Sequence, residues 1–96
     1  MLKKIVLTLF LVLTSVAFGF AANGFTLVID AGHGGHDTGA KGAYSLEKDI
    51  NLKVALLFGQ YVEQNCKDVN VIYTRKTDVF IPLKTRANIA NRNNAD

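Results

Sequence analysis

The residues best suited to chemistry lie in one short, glycine-rich stretch and just after it. The segment Val28–Gly42 reads VIDAGHGGHDTGAKG and contains both histidines of the chain, His33 and His36. An acidic residue, Glu47, follows shortly afterwards. Neutral imidazole and carboxylate groups are typical zinc ligands, so one hypothesis is a metal site. A phosphate-binding loop and a turn that binds nothing are the alternatives.

The spacing of the glycines argues against phosphate. The dinucleotide pattern G-x-G-x-x-G fails because Asp37 stands where the third glycine is required. The nucleoside-triphosphate pattern G-x-x-x-x-G-K-[ST] fails because Ala40 follows Gly39. Two aspartates in the loop would also repel phosphate. The metal site and the structural turn therefore remain open.

The flanking elements could bring His33 and Glu47 to one point. Phe25–Ala31 is a short apolar run typical of a buried strand, and Ser45 is a plausible cap for a following helix. The amino end of such a helix packs near the carboxyl end of the strand, where ligands of α/β sheets collect. The helix terminus would also favour the ionised form of Glu47.

Three further side chains in the loop bear on a metal site. Asp30 and Asp37 are candidates to orient His33 through its other ring nitrogen. His36 is another candidate ligand, but it lies further into the loop, and we expect it to be solvated. These residues alone do not decide between a metal site and a structural turn.

The remaining chain continues an alternating pattern. After the first helix, Asn70–Thr74 predicts a second strand, Arg75–Ile81 a connection, and Pro82 the first position of a second helix. Strand–helix–strand order predicts parallel strands and an α/β fold, although two helices cannot cover both faces of a parallel sheet. The first helix is expected to bury one apolar stripe, formed by Ile50, Val54, Leu57, Phe58, Tyr61 and Val62.

The amino-terminal segment has the pattern of an export signal. Residues 1–22 combine Lys3 and Lys4, an apolar run and a small-residue finish, which predicts a signal peptide; an uncleaved membrane anchor is the alternative. The expected location is therefore the periplasm, cell envelope or extracellular space, with no membrane association after cleavage. The formal net charge of +3 includes both leader lysines, so we expect no nucleic-acid partner. The lone Cys66 excludes an internal disulfide and is expected to be half-buried.

Several motifs in combination resemble a known family. These are IDAGHGG (29–35), D-x-GA (37–40), EKDINL (47–52), TR-x-x-D (74–78) and L-x-x-RAN-x-AN (83–91). Their order resembles the start of the zinc-dependent N-acetylmuramoyl-L-alanine amidases of the amidase-3 type. The resemblance covers nearly all of residues 25–96.

The resemblance implies a three-layer α/β/α sandwich and a reaction. Such enzymes hydrolyse the peptidoglycan amide between N-acetylmuramic acid and L-alanine, with Zn²⁺ held by two histidines and a glutamate. His33 matches the first histidine and Glu47 the glutamate. The second histidine and the general-base glutamate lie beyond Asp96 in the family pattern, so no catalytic residue is assigned in this chain.

Residues 23–96 are accordingly expected to form about the first half of an amidase catalytic domain. Hydrolysis is not expected from these residues alone. The alternative is a non-catalytic, peptidoglycan-binding remnant of an amidase.

Overall fold

The computed structural model describes residues 24–96, and the predicted signal peptide lies outside them. The elements are β1 (Phe25–Ile29), α1 (Glu47–Asn65), β2 (Val69–Tyr73) and α2 (Leu83–Arg92). The predicted order and the α/β class are therefore confirmed. None of the helices between residues 24 and 96 combines the length and apolarity that a membrane span requires.

The two strands form a parallel sheet, as predicted, with Phe25 opposite Val69 and Ile29 opposite Tyr73. β1 ends at Ile29 rather than at the predicted Ala31. The reason is that the Ala31 carbonyl accepts hydrogen bonds from two arginine side chains instead of from a neighbouring strand. The strand therefore stops where the glycine-rich loop begins to be held by side chains.

The prediction that Ser45 caps α1 is wrong. Leu46 occupies the cap position without a side-chain hydrogen bond, and the Ser45 carbonyl instead accepts from the Gly42 N–H. The first free N–H groups of the helix are satisfied by the loop, because Glu47 donates to the Ala40 carbonyl and Lys48 to that of Thr38. The loop thus caps the helix with its own backbone, which fixes both relative to each other. Similarly, Pro82 is the cap of α2 and not its first residue.

The two helices lie on opposite faces of the sheet. A side chain on Gly59 of α1 would collide with the Tyr73 ring, so α1 covers the face to which Tyr73 points. Asp30 and Thr74, the residues after Ile29 and Tyr73, contact each other, and Asp30 also pairs with Arg86 of α2. Because successive side chains of extended backbone point to opposite faces, the order of layers is helix, sheet, helix.

The apolar stripe predicted for α1 is buried only in part within residues 24–96. Among its members only Val62 is buried, whereas Val54 and Tyr61 are 59% and 66% exposed. The helix meets the sheet through the small residues Ala55 and Gly59, which permit close approach. Val54 and Phe58 line an open groove beside this contact, together with Ile29 of β1. Cys66, predicted to be half-buried, is exposed.

Candidate metal centre

His33 and Glu47 meet at the carboxyl end of β1. Nε2 of His33 lies 3.1 Å from Oε1 of Glu47, and both side chains keep about a third or more of their surface in solvent, 32% and 41%. The first side chain comes from the glycine-rich loop and the second from the first turn of α1. The convergence that strand–helix geometry predicted is therefore present.

The backbone at this point is unusual. His33 has φ 65°, in the left-handed region that non-glycine residues seldom adopt, and Gly39 has φ 64°. A Cβ on Gly39 would lie 2.6 Å from Oε2 of Glu47 and 2.7 Å from Cδ2 of His33. Gly39 is therefore required where the loop packs against the two candidate ligands. Left-handed non-glycine residues concentrate at functional sites, where the surroundings hold them in place.

Asp37 orients the imidazole from the other side. Its Oδ2 lies 2.9 Å from Nδ1 of His33, and this hydrogen bond lowers the pKa of Asp37 and raises the pKa of His33. An ionised carboxylate accepts only, so Nδ1–H donates. In the neutral imidazole this leaves the lone pair on Nε2, which faces Glu47.

The other two loop candidates have different surroundings. Asp30 accepts from Thr74 Oγ1 and Arg86, and so does not orient the His33 ring. His36 is exposed, as expected, and its ring lies 4.3 Å from that of Phe80. Neither residue belongs to the cluster formed by His33, Asp37 and Glu47.

Glu47 is held in its ionised form. The Ala40 N–H donates to Oε2 at 2.7 Å, and this hydrogen bond is the main cause of the lowered pKa of Glu47. Since Oε2 is held by the loop, Oε1 remains directed at His33. One carboxylate therefore joins the helix, the loop and the candidate ligand.

Two buried arginines, which residue-by-residue reasoning missed, hold the backbone of the loop. Arg75 donates to the carbonyls of Ala31 and Gly32 and also to Lys48 O on α1. Arg86 donates to the carbonyls of Ala31 and His33. The sequence contains one signal that could have identified Arg86 as a buried residue. It lies three residues after Leu83 and beside Ala87, on a side of α2 that is otherwise apolar.

A salt bridge fixes the far side of the loop. Nζ of Lys48 lies 2.7 Å from Oδ2 of Asp78 and also donates to the Gly35 carbonyl. Oδ1 of Asp78 accepts from the Gly35 N–H at 2.8 Å. Asp78, in the connection after β2, therefore holds the loop at Gly35, two residues after His33.

The donor set fits zinc in part. An imidazole nitrogen and a carboxylate oxygen are zinc ligands, and their atoms already face each other. Between residues 24 and 96 no three His, Cys, Asp or Glu side chains form a group that could hold a metal. An open cavity of about 480 Å³ adjoins His33, with Asp37 and Phe80 also among its walls. The described residues thus supply two candidate ligands, one of which, His33, borders an accessible space.

The described residues form an α/β unit that carries a histidine and a glutamate at the carboxyl end of its first strand. The family model described as N-acetylmuramoyl-L-alanine amidase matches residues 27–96. The chain therefore belongs to this family, and the predicted membership is confirmed.

Individual relatives agree with the family match. The amidase AmiC of Escherichia coli O6:H1 is 39% identical over 71 residues, which are 73% of this chain and 17% of that protein. A solved amidase from Clostridium difficile 630 superposes with TM-score 0.72 at 41% identity, over 77% of this chain and 40% of the other. AmiC2 of Nostoc punctiforme superposes with TM-score 0.68 at 42% identity, over 74% of this chain and 39% of the other. The chain thus spans less than half the length of these proteins.

Proposed function

We propose that the protein is a zinc-dependent amidase that cleaves the bond between N-acetylmuramic acid and L-alanine in peptidoglycan. Family membership supports the reaction, since relatives across 73–77% of this chain are named for it. The observation that carries the zinc site is the approach of His33 Nε2 to Glu47 Oε1, at 3.1 Å, with Asp37 on the opposite ring nitrogen. Both His33 and Glu47 are proposed as ligands.

The residues of this chain would prepare the site before chemistry begins. Asp37 holds the Nδ1 proton, so that Nε2 presents its lone pair, and the Ala40 N–H keeps the Glu47 carboxylate charged and fixed. A bound zinc ion would supply an activated water and polarise the scissile carbonyl. Hydrolysis would add that water across the amide, giving a lactyl carboxylate and a free α-amino group on L-alanine.

No general base is proposed within the described residues. Glu63, the other glutamate of α1, lies sixteen residues beyond Glu47. At 1.5 Å per residue along a helix it is about 24 Å away, too far to share a reacting atom. The base and a further zinc ligand of the proposed enzyme are not assigned to any of residues 24–96.

The location follows from the proposed substrate. Peptidoglycan lies outside the cytoplasmic membrane, and the export pattern of residues 1–22 agrees with an exported protein. We propose the periplasm or cell envelope as the site of action, with peptidoglycan as the partner.

A second candidate function is peptidoglycan binding without hydrolysis. It is favoured by the small donor set, because residues 24–96 contain no group of three metal-binding side chains. This candidate predicts retention on peptidoglycan that is independent of zinc.

The deciding experiment measures new α-amino groups of L-alanine released from purified peptidoglycan. Residues 23–96 alone should release none. A protein that also contains the general base and the further zinc ligand should show release that stops with a chelator and returns with zinc. H33A and E47Q should abolish it, whereas H36A and E63Q, matched controls from the same loop and helix, should not. Retention of that protein on peptidoglycan without any release, with or without zinc, would contradict the proposed enzyme and support the second candidate.

A further inference from the structure

We propose that Arg86 is a positioning residue for His33. Its guanidinium holds the His33 carbonyl and thereby fixes the left-handed backbone from which the imidazole reaches Glu47. The inference rests on the proposed role of His33 as a zinc ligand. It also makes a claim about the metal-free protein that can be tested separately.

The contacts of Arg86 converge on the loop. Nη2 donates to the His33 carbonyl at 2.9 Å, and Nη1 donates to the Ala31 carbonyl at 2.7 Å. The same Nη1 contacts Oδ1 of Asp30 at 2.6 Å, and Nε donates to the Ile81 carbonyl at 2.7 Å. The side chain is only 6% exposed. A single planar group therefore bonds alternate carbonyls on both sides of Gly32.

Charge pairing alone does not explain this arrangement. The ion pair with Asp30 neutralises the guanidinium, but the Asp30 side chain is 48% exposed, and ion pairs open to solvent contribute little stability. The planar guanidinium also donates to three carbonyls through three different nitrogen atoms. The single nitrogen of a lysine ammonium group cannot make these three contacts together. Their effect is to set the direction of the Ala31–His33 backbone.

His33 is the residue that needs such support. At φ 65° its own side chain disfavours the conformation, which persists only if the surroundings impose it. Arg75 holds the preceding carbonyls of Ala31 and Gly32, while Arg86 reaches the carbonyl of His33 itself. Rotation of this peptide would swing the imidazole away from Glu47.

The test uses R86A and R86K, with R92A as the matched control from the exposed end of the same helix. R86K is the informative variant, because a lysine keeps the charge beside Asp30 but lacks the fork. In the metal-free protein, the NOE between His33 Hδ2 and the α protons of Gly39 reports the ring position, since a Cβ on Gly39 would lie 2.7 Å from Cδ2. Zinc affinity is then measured by competition with a chromophoric chelator.

We expect R86K to retain the circular dichroism spectrum of the wild type, to lose the NOE and to bind zinc about 10- to 100-fold more weakly, the range seen for residues that orient metal ligands. R92A should match the wild type. An R86K protein with unchanged NOE and zinc affinity would overturn the proposal. Unfolding of R86K as well as R86A would also overturn it, because Arg86 would then serve the whole fold.

Failure of the proposed function gives a different result. If the wild type binds no zinc but shows the NOE, and R86K loses that NOE, then His33 is not a zinc ligand and the positioning role of Arg86 stands. If the wild type binds zinc and R86K does so equally well, the function stands and the positioning role is refuted.

Discussion

Gly39 should be irreplaceable because the loop backbone at this position packs directly against both candidate ligands. Substitution by alanine meets two obstacles. The backbone has φ +64°, where a side chain costs about 1–2 kcal/mol. The new Cβ would also lie 2.6 Å from Oε2 of Glu47, 2.7 Å from Cδ2 of His33 and 2.9 Å from Cβ of Glu47.

The collision cannot be relieved by a small rotation of one side chain. The Ala40 N–H holds the Glu47 carboxylate at 2.7 Å, and Asp37 holds the His33 ring at 2.9 Å. We therefore expect G39A to separate the ligands, weakening zinc binding by about 10-fold or more. Unfolding by denaturant should also show a stability loss of at least about 1–2 kcal/mol.

The matched control is G42A, in the same loop but without a positive φ and with its nearest neighbour, the Ser45 carbonyl, 3.2 Å from the added Cβ. Because this contact is tight, G42A should lose some stability in denaturant unfolding, but less than G39A, and its zinc affinity in competition should equal that of the wild type. Wild-type zinc affinity in G39A would refute the reasoning that this glycine is needed for the ligands to meet.

Three other perturbations address separate parts of the structure. D37N should leave the fold intact but weaken zinc binding about 10- to 100-fold in chelator competition, because the imidazole loses the carboxylate that orients it; unchanged affinity would argue against that role. G59A should lower the free energy of unfolding although alanine favours helix by about 1 kcal/mol, because its Cβ would overlap the Tyr73 ring and overpacking costs about 1–3 kcal/mol; a stabilised variant would contradict this. Asp78 has a pKa lowered chiefly by its hydrogen bond from Lys48, so its contribution is present at neutral pH and lost as pH falls below about 4. The stability difference between wild type and D78N, followed by unfolding across pH, should therefore shrink in acid, and a difference that grows in acid would be inconsistent with the salt bridge.

The meeting of His33 and Glu47 was predictable because it depends on local geometry. A short strand, a glycine-rich loop and a following helix leave few ways to arrange the strand end and the helix start. The positive φ of His33 was not predictable, since it is imposed by contacts with Arg86, 53 residues away in sequence. The spacing of apolar residues along α1 is limited in a similar way. It identifies the apolar positions but does not show which of them face the sheet.

The helix cap shows why local propensity failed at one point. Ser45 has the side chain that favours a cap, yet the first N–H groups of α1 bond to the carbonyls of Thr38 and Ala40. A folded loop that offers its own acceptors replaces the side chain. The loop sequence contains the glycines that allow this, but not the partners that they meet.

The most direct test of the account is a crystal structure of the zinc-loaded protein with anomalous data collected at the zinc absorption edge. We expect a peak about 2.0–2.2 Å from both Nε2 of His33 and a carboxylate oxygen of Glu47. A peak that leaves either residue uncoordinated, or that lies at His36, would contradict the account.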